Sequence, residues 1–92
     1  LKINRMKKIN GKKAAEYLIN KYGKLKHEPK ALAYAVNEIC EECDHDNALD
    51  LLKLLTENTE IPSLHTHSYS FNTATGRHLI NLMKEKYYEY EN

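Results

Sequence analysis

The chain has 92 residues, of which 41% are hydrophobic and 29% charged, with three glycines and two prolines. That length supports one small domain and excludes a two-domain enzyme, since domains cluster near ~100–150 residues, and the composition is that of a globular chain, not a disordered or collagen-like one. The formal charge of +1 conceals a polarised order: residues 1–30 sum to +8, residues 31–62 to −7, and the remainder balances.

Charge arranged this way steers encounters and orients a partner more than it sets a fold. No apolar run reaches the ~18 residues that cross a bilayer, and no leader with an apolar stretch and a small-residue cleavage site is visible. The expected setting is therefore cytoplasmic. Residues 1–8 read as a flexible basic arm on a single helical domain spanning 1–92.

The first helix is expected from Asn10 to Tyr22, with Asn10 as N-cap and Gly23 as C-cap. Gly11, Ala14, Ala15, Leu18 and Tyr22 share its inner stripe. Pro29 suits the first turn of a second helix running to Glu42, where Leu32, Ala35, Val36, Ile39 and Cys43 share one face. Asp46 is the expected cap of a third helix over Asn47–Asn58. Its leucines at 49, 51, 52, 54 and 55 cover more than half the circumference, which implies either burial on two sides or an apolar strip kept for a partner. Central burial is the preferred reading.

Residues 59–71 break the helical period, and His65, His67, Tyr69 and Phe71 alternate as in an extended segment. A fourth helix follows from about Thr73 to Tyr90, with Gly76, Leu79, Leu82, Met83, Tyr87 and Tyr90 on its inner side. The expected fold is thus all-α: a small four-helix domain with an extended His-rich loop between helices three and four.

One metal constellation is visible, Cys40 and Cys43 with His65 and His67, because zinc takes thiolate and imidazole ligands and Cys-x-x-Cys is a common half-site. The third helix carries the chain about 18 Å away and residues 59–64 return at most about 20 Å, so the set closes with almost no slack. Glu41, Glu42 and Asp44 disfavour a thiolate and would favour a dication. The helical setting and the fit of Cys43 to the core stripe favour plain thiols, so no cofactor is expected and zinc is the alternative. His65 or His67 beside Ser63, Ser68 or Ser70 has no spacing that specifies catalysis, and no phosphate-binding loop, His-Glu-x-x-His or EF-hand pattern occurs. The chain is read as non-enzymatic.

Two binding readings remain. In the first, the acidic residues Glu38, Glu41, Glu42, Asp44 and Asp46 meet a basic protein surface, with Tyr34 or Tyr88 as an anchor. This describes a small inhibitor or adaptor, a form common among phage and mobile-element products, and the Lys-, Asn-, Ile- and Tyr-rich usage fits an AT-rich genome. In the second, Lys7, Lys8, Lys12, Lys13, Lys21, Lys24, Lys26 and Lys30 neutralise phosphates of a nucleic acid, with Tyr17 and Tyr22 interleaved. A helix-turn-helix is disfavoured, because the Gly23–Glu28 connection exceeds the usual 3–4-residue turn and the second helix is acidic where phosphates would lie. The protein-binding reading leads.

Overall fold

The computed structural model describes residues 7–60 and 73–90. In chain order these form strand β1 (Lys7–Ile9), helices α1 (Gly11–Asn20), α2 (Tyr22–Leu25), α3 (Pro29–Glu41), α4 (His45–Asn58) and α5 (Ala74–Tyr87), and strand β2 (Tyr88–Tyr90). The fold is mainly helical, as expected, with four long helices and the short α2. The expected His-rich loop lies outside the described residues.

Local chemistry sets the helix starts. The Asn10 side chain accepts from Lys13 N at 3.0 Å, satisfying one donor that the first turn leaves unpaired. Pro29, which has no N–H to leave unpaired, begins α3. Asp44 caps α4, accepting from Asn47 N at 2.8 Å, and Thr73 caps α5, accepting from Gly76 N at 2.9 Å. The cap of α4 is therefore Asp44 and not Asp46, which stands in the first turn, where its charge still suits the helix dipole. Gly23 is likewise no C-cap; α1 ends at Lys21 and Gly23 continues into α2.

α1 packs against α4 and α3 against α5, and contacts of α4 with α3 and of α1 with α5 close the bundle. Small residues make the first of these approaches close. A Cβ placed on Gly11 would lie 2.0 Å from the Asn47 carbonyl oxygen, so the start of α1 sits directly on the first turn of α4. A Cβ on Gly76 would lie 2.7 Å from Tyr34 Cδ2 and 3.2 Å from the Ala31 carbonyl oxygen, which brings α5 similarly close to α3.

The centre of the core is α3, not the leucine-rich α4. α3 buries Ala31, Leu32, Ala33, Ala35, Val36 and Ile39, whereas α4 buries only Leu51 and Leu55. Leu52 and Leu54 are partly buried and Leu49 is 51% exposed.

Of the expected basic arm, residues 1–6 lie outside the described residues, while Lys7 and Lys8 belong to a strand. Lys7, Lys8 and Ile9 pair antiparallel with Tyr90, Glu89 and Tyr88. The fourth helix accordingly stops at Tyr87, where Asn10 N donates to the Tyr87 carbonyl at 3.0 Å. On its other side β1 meets the α3–α4 turn, with Ile9 N donating to the Glu42 carbonyl at 2.8 Å. Ile9 is fully buried at this junction. The two strands thus tie the start and end of the described chain to the turn between α3 and α4.

Candidate interaction surface

Of the seven acidic and aromatic residues expected to contact a partner, four are engaged within the fold. Glu42 is the most heavily used: its carboxylate accepts from the Tyr88 hydroxyl and pairs with Lys84 Nζ at 3.6 Å, while its carbonyl accepts from Ile9. Tyr88 is thereby part of the clamp that holds β2 to the α3–α4 turn, not an exposed anchor. Tyr34 is partly buried over Gly76.

Asp44 accepts from both the backbone and the side-chain amide of Asn47, at 2.8 and 3.0 Å, and these bonds lower its carboxyl below the ordinary value. Asn47 Oδ1 in turn accepts from Gly11 N at 2.7 Å. The three residues form a relay joining the starts of α4 and α1. Glu38, Glu41 and Asp46 are the expected acidic residues left on the surface, with Glu41 and Asp46 exposed and Glu38 partly so.

The Glu42–Tyr88 bond has a pH consequence. Accepting the hydroxyl proton, Glu42 holds the Tyr88 phenol up at about 12 from an ordinary 10.0, with burial adding in the same direction. A folded-state pKa raised above the unfolded one gives stability that is complete below pH ~10 and lost as pH rises through about 12. Tyr88→Phe is expected to cost about 1 kcal/mol at neutral pH, the ordinary worth of one such bond. Urea midpoints of the two proteins should converge between those pH values. A constant gap across that window would contradict the assignment.

The basic candidates are more open. Lys12, Lys21, Lys24 and Lys26 are exposed on α1, the α1–α2 junction and the residues around α2, and Lys30 is exposed at the start of α3. Lys21 Nζ stands 5.8 Å from the centre of the Tyr17 ring, a cation–π contact. Lys13 Nζ pairs with Glu89 at 3.0 Å, and this bond, with a second from Asn10, keeps the Glu89 carboxyl below its ordinary value. Lys8 is partly buried beside Asp44 and Cys43, and Lys7 is held in β1. Neither ion pair, Lys13–Glu89 or Lys84–Glu42, joins the basic first third to the acidic middle.

Cys40 and Cys43 are free thiols, the first partly buried on α3 and the second buried in the turn that follows it. Burial first, then neighbouring negative charge, raises them to about 11 and about 12. Such thiols are poor nucleophiles at neutral pH. Among the described residues no three His, Cys, Asp or Glu side chains form a metal-holding group. His65 and His67, the other expected ligands, lie outside those residues.

Leu49 was not singled out from the sequence, although its position carried the signal. At 100° per residue it stands about 160° around α4 from the buried Leu51. It is the exposed large hydrophobic side chain of the described residues. Asp46 lies one turn before it, Asp50 beside it and Lys53 one turn after it, with Glu57 a further turn along; Asp46, Lys53 and Glu57 are exposed and Asp50 partly so. The outer face of α4 is therefore a leucine in a net acidic frame.

No helix among the described residues is long and apolar enough to cross a membrane. Comparison of the chain with protein-family models, curated proteins and solved structures gives no match.

Proposed function

We propose that the chain is a small non-catalytic protein-interaction module, an inhibitor or adaptor that docks on a basic protein surface through the outer face of α4 and the end of α3. One observation carries the reading: Leu49 is 51% exposed within the acidic frame of Asp46 and Asp50. A single exposed leucine is ordinary on a protein surface. Here it has a charged rim whose basic counterpart is not supplied by the ion pairs described above. Covering the exposed half of such a side chain contributes about 1 kcal/mol, and the carboxylates around it select partners and speed encounter. Glu41 and Glu38 add negative charge toward the end of α3.

The immobilised protein, treated with nuclease and exposed to a cell extract at low and high salt, tests this. A stoichiometric protein should remain at low salt, and Glu41→Lys/Asp46→Lys should abolish its capture. Unchanged capture and salt dependence in that variant would overturn the reading.

The exposure of Lys12, Lys21, Lys24 and Lys26 favours a second reading, an accessory protein that binds nucleic acid through α1 and α2. There, affinity should fall steeply with salt, and Lys12→Ala/Lys24→Ala should lower the slope by about two, one per lost phosphate contact. A flat salt response would exclude it.

A further inference from the structure

We propose that Asn10 is a modification site whose chemistry the fold suppresses: its side-chain amide converts to aspartate and isoaspartate when the junction of α1 with α4 opens, and is protected while that junction is closed. Asn10–Gly11 is the one Asn-Gly pair in the sequence. With no side chain on the following residue, the backbone nitrogen there reaches the asparagine amide carbon more readily than at any other asparagine of the chain.

The reaction needs water and no other reactant. Gly11 N, giving its proton to solvent, attacks Asn10 Cγ. The new N–Cγ bond closes a five-membered imide, and the Cγ–Nδ2 bond breaks as ammonia leaves with a proton taken from solvent. Water then opens the imide. Cleavage of the N–Cγ bond gives aspartate on an unchanged backbone. Cleavage between the main-chain carbonyl carbon of residue 10 and the Gly11 nitrogen gives isoaspartate, in which the chain runs through the side-chain carbons and gains one methylene.

The closed fold withholds the geometry this requires. Ring closure brings the Gly11 nitrogen into near eclipse with Asn10 Cβ, at a ψ of roughly −120° that sterics leave almost empty, whereas Asn10 has ψ 112°, about 130° away. Turning it there would swing the Gly11 amide away from Asn47 Oδ1, which holds its N–H at 2.7 Å. The side chain is also fixed: its oxygen accepts from Lys13 N at 3.0 Å and its amide donates to Glu89 at 3.2 Å. Asn10 N is tied to the Tyr87 carbonyl at 3.0 Å. Opening therefore precedes chemistry, and the rate follows the open population wherever closing is the faster process.

The two products differ in what they leave possible. Aspartate keeps an acceptor for Lys13 N and remains a good cap, losing the amide donor to Glu89. Isoaspartate lengthens the main chain between Asn10 N, held at the end of α5, and Gly11 N, held at the start of α4, so the two bonds do not both re-form in their present geometry. A chain that opens for long enough is thus marked covalently at the place where it opened.

Incubation of the purified full chain at mildly alkaline pH, in buffer and in unfolding guanidinium chloride, tests the proposal when the peptide carrying residues 10 and 11 is followed by mass. Conversion should be about a hundredfold or more slower in the folded chain, as for a junction that is rarely open. Asn47→Ala removes the acceptor of Gly11 N and should speed conversion in the folded chain about tenfold, the effect of losing roughly one hydrogen bond. Asn10→Asp should fold and melt within several degrees of the parent, whereas the isoaspartate chain, separated after the unfolded incubation, should melt well below it or fail to refold. Equal rates in the folded and unfolded parent, a folded Asn47→Ala chain that converts no faster than the parent, or an isoaspartate chain that melts like the parent would each overturn the proposal. Should Asn47→Ala fail to fold, the comparison of folded and unfolded parent decides alone.

Discussion

Gly11→Ala is expected to destabilise the fold by about 3 kcal/mol, the upper end for overpacking, although alanine is intrinsically the better helix former by about 1 kcal/mol. The sign reverses because the new methyl would lie 2.0 Å from the carbonyl oxygen and 2.7 Å from the carbonyl carbon of Asn47. Neither is the yielding tip of a side chain, so the starts of α1 and α4 must separate. That separation also stretches the 2.7 Å bond from Gly11 N to Asn47 Oδ1 and disturbs the Asp44–Asn47 cap behind it. Gly23 provides the matched control, because a Cβ there meets nothing within 4 Å. Gly23→Ala should leave stability unchanged or raise it by up to about 1 kcal/mol. Urea denaturation of the two variants checks the pair, and equal midpoints would show that α1 and α4 do not approach this closely.

The second large effect is expected at Ile9. Its side chain is fully buried, its N–H donates to the Glu42 carbonyl, and it pairs across the strands with Tyr88. Ile9→Ala should cost about 2–5 kcal/mol, the range for truncating a large aliphatic residue in a core that relaxes incompletely. An Ile9 side chain outside the core would give a loss near zero. The comparison discriminates sharply, because Lys8 next to it is only partly buried and Lys8→Ala should fall within about 0.5 kcal/mol of the parent. A loss at Ile9 no larger than that at Lys8 would mean that β1 is not part of the folded unit.

These two sites show where the sequence was legible. The helices announced themselves through Asn10, Pro29 and Thr73, residue types whose side chains or rings act within one turn of their own position. The stripe of Ala14, Ala15 and Leu18 and that of Leu32, Ala35, Val36 and Ile39 were equally plain, because a helical period repeats within a dozen residues. β1 and β2 were not, since three residues are too few to show a period and their partners lie about eighty residues away in the chain. The same distance hid the functions of Glu42 and Tyr88. Each looked like a free surface group until the strand pairing brought the hydroxyl to the carboxylate.

Asp44 and Asp46 illustrate a finer limit. Both can cap a helix, and only the bond to Asn47 N distinguishes them. The leucine-rich helix was the opposite case, in that its pattern implied either central burial or a strip held for a partner. Leu51 and Leu55 are buried, Leu52 and Leu54 partly so, and Leu49 is half open on the far side, so α4 flanks the core and is not its centre. Of the acidic candidates, those closest to the α3–α4 turn proved to hold the fold, leaving Glu38, Glu41 and Asp46 facing outward with the leucine between α4's carboxylates.

The most direct measurement is partner capture by Leu49→Ser beside its own thermal unfolding. Because about half of the side chain is open to solvent and serine is the weaker helix former, the substitution should lower the melting temperature by only several degrees and leave the protein folded. Capture of the nuclease-resistant protein partner should be lost. A folded variant equally able to capture it would contradict a contact surface on α4.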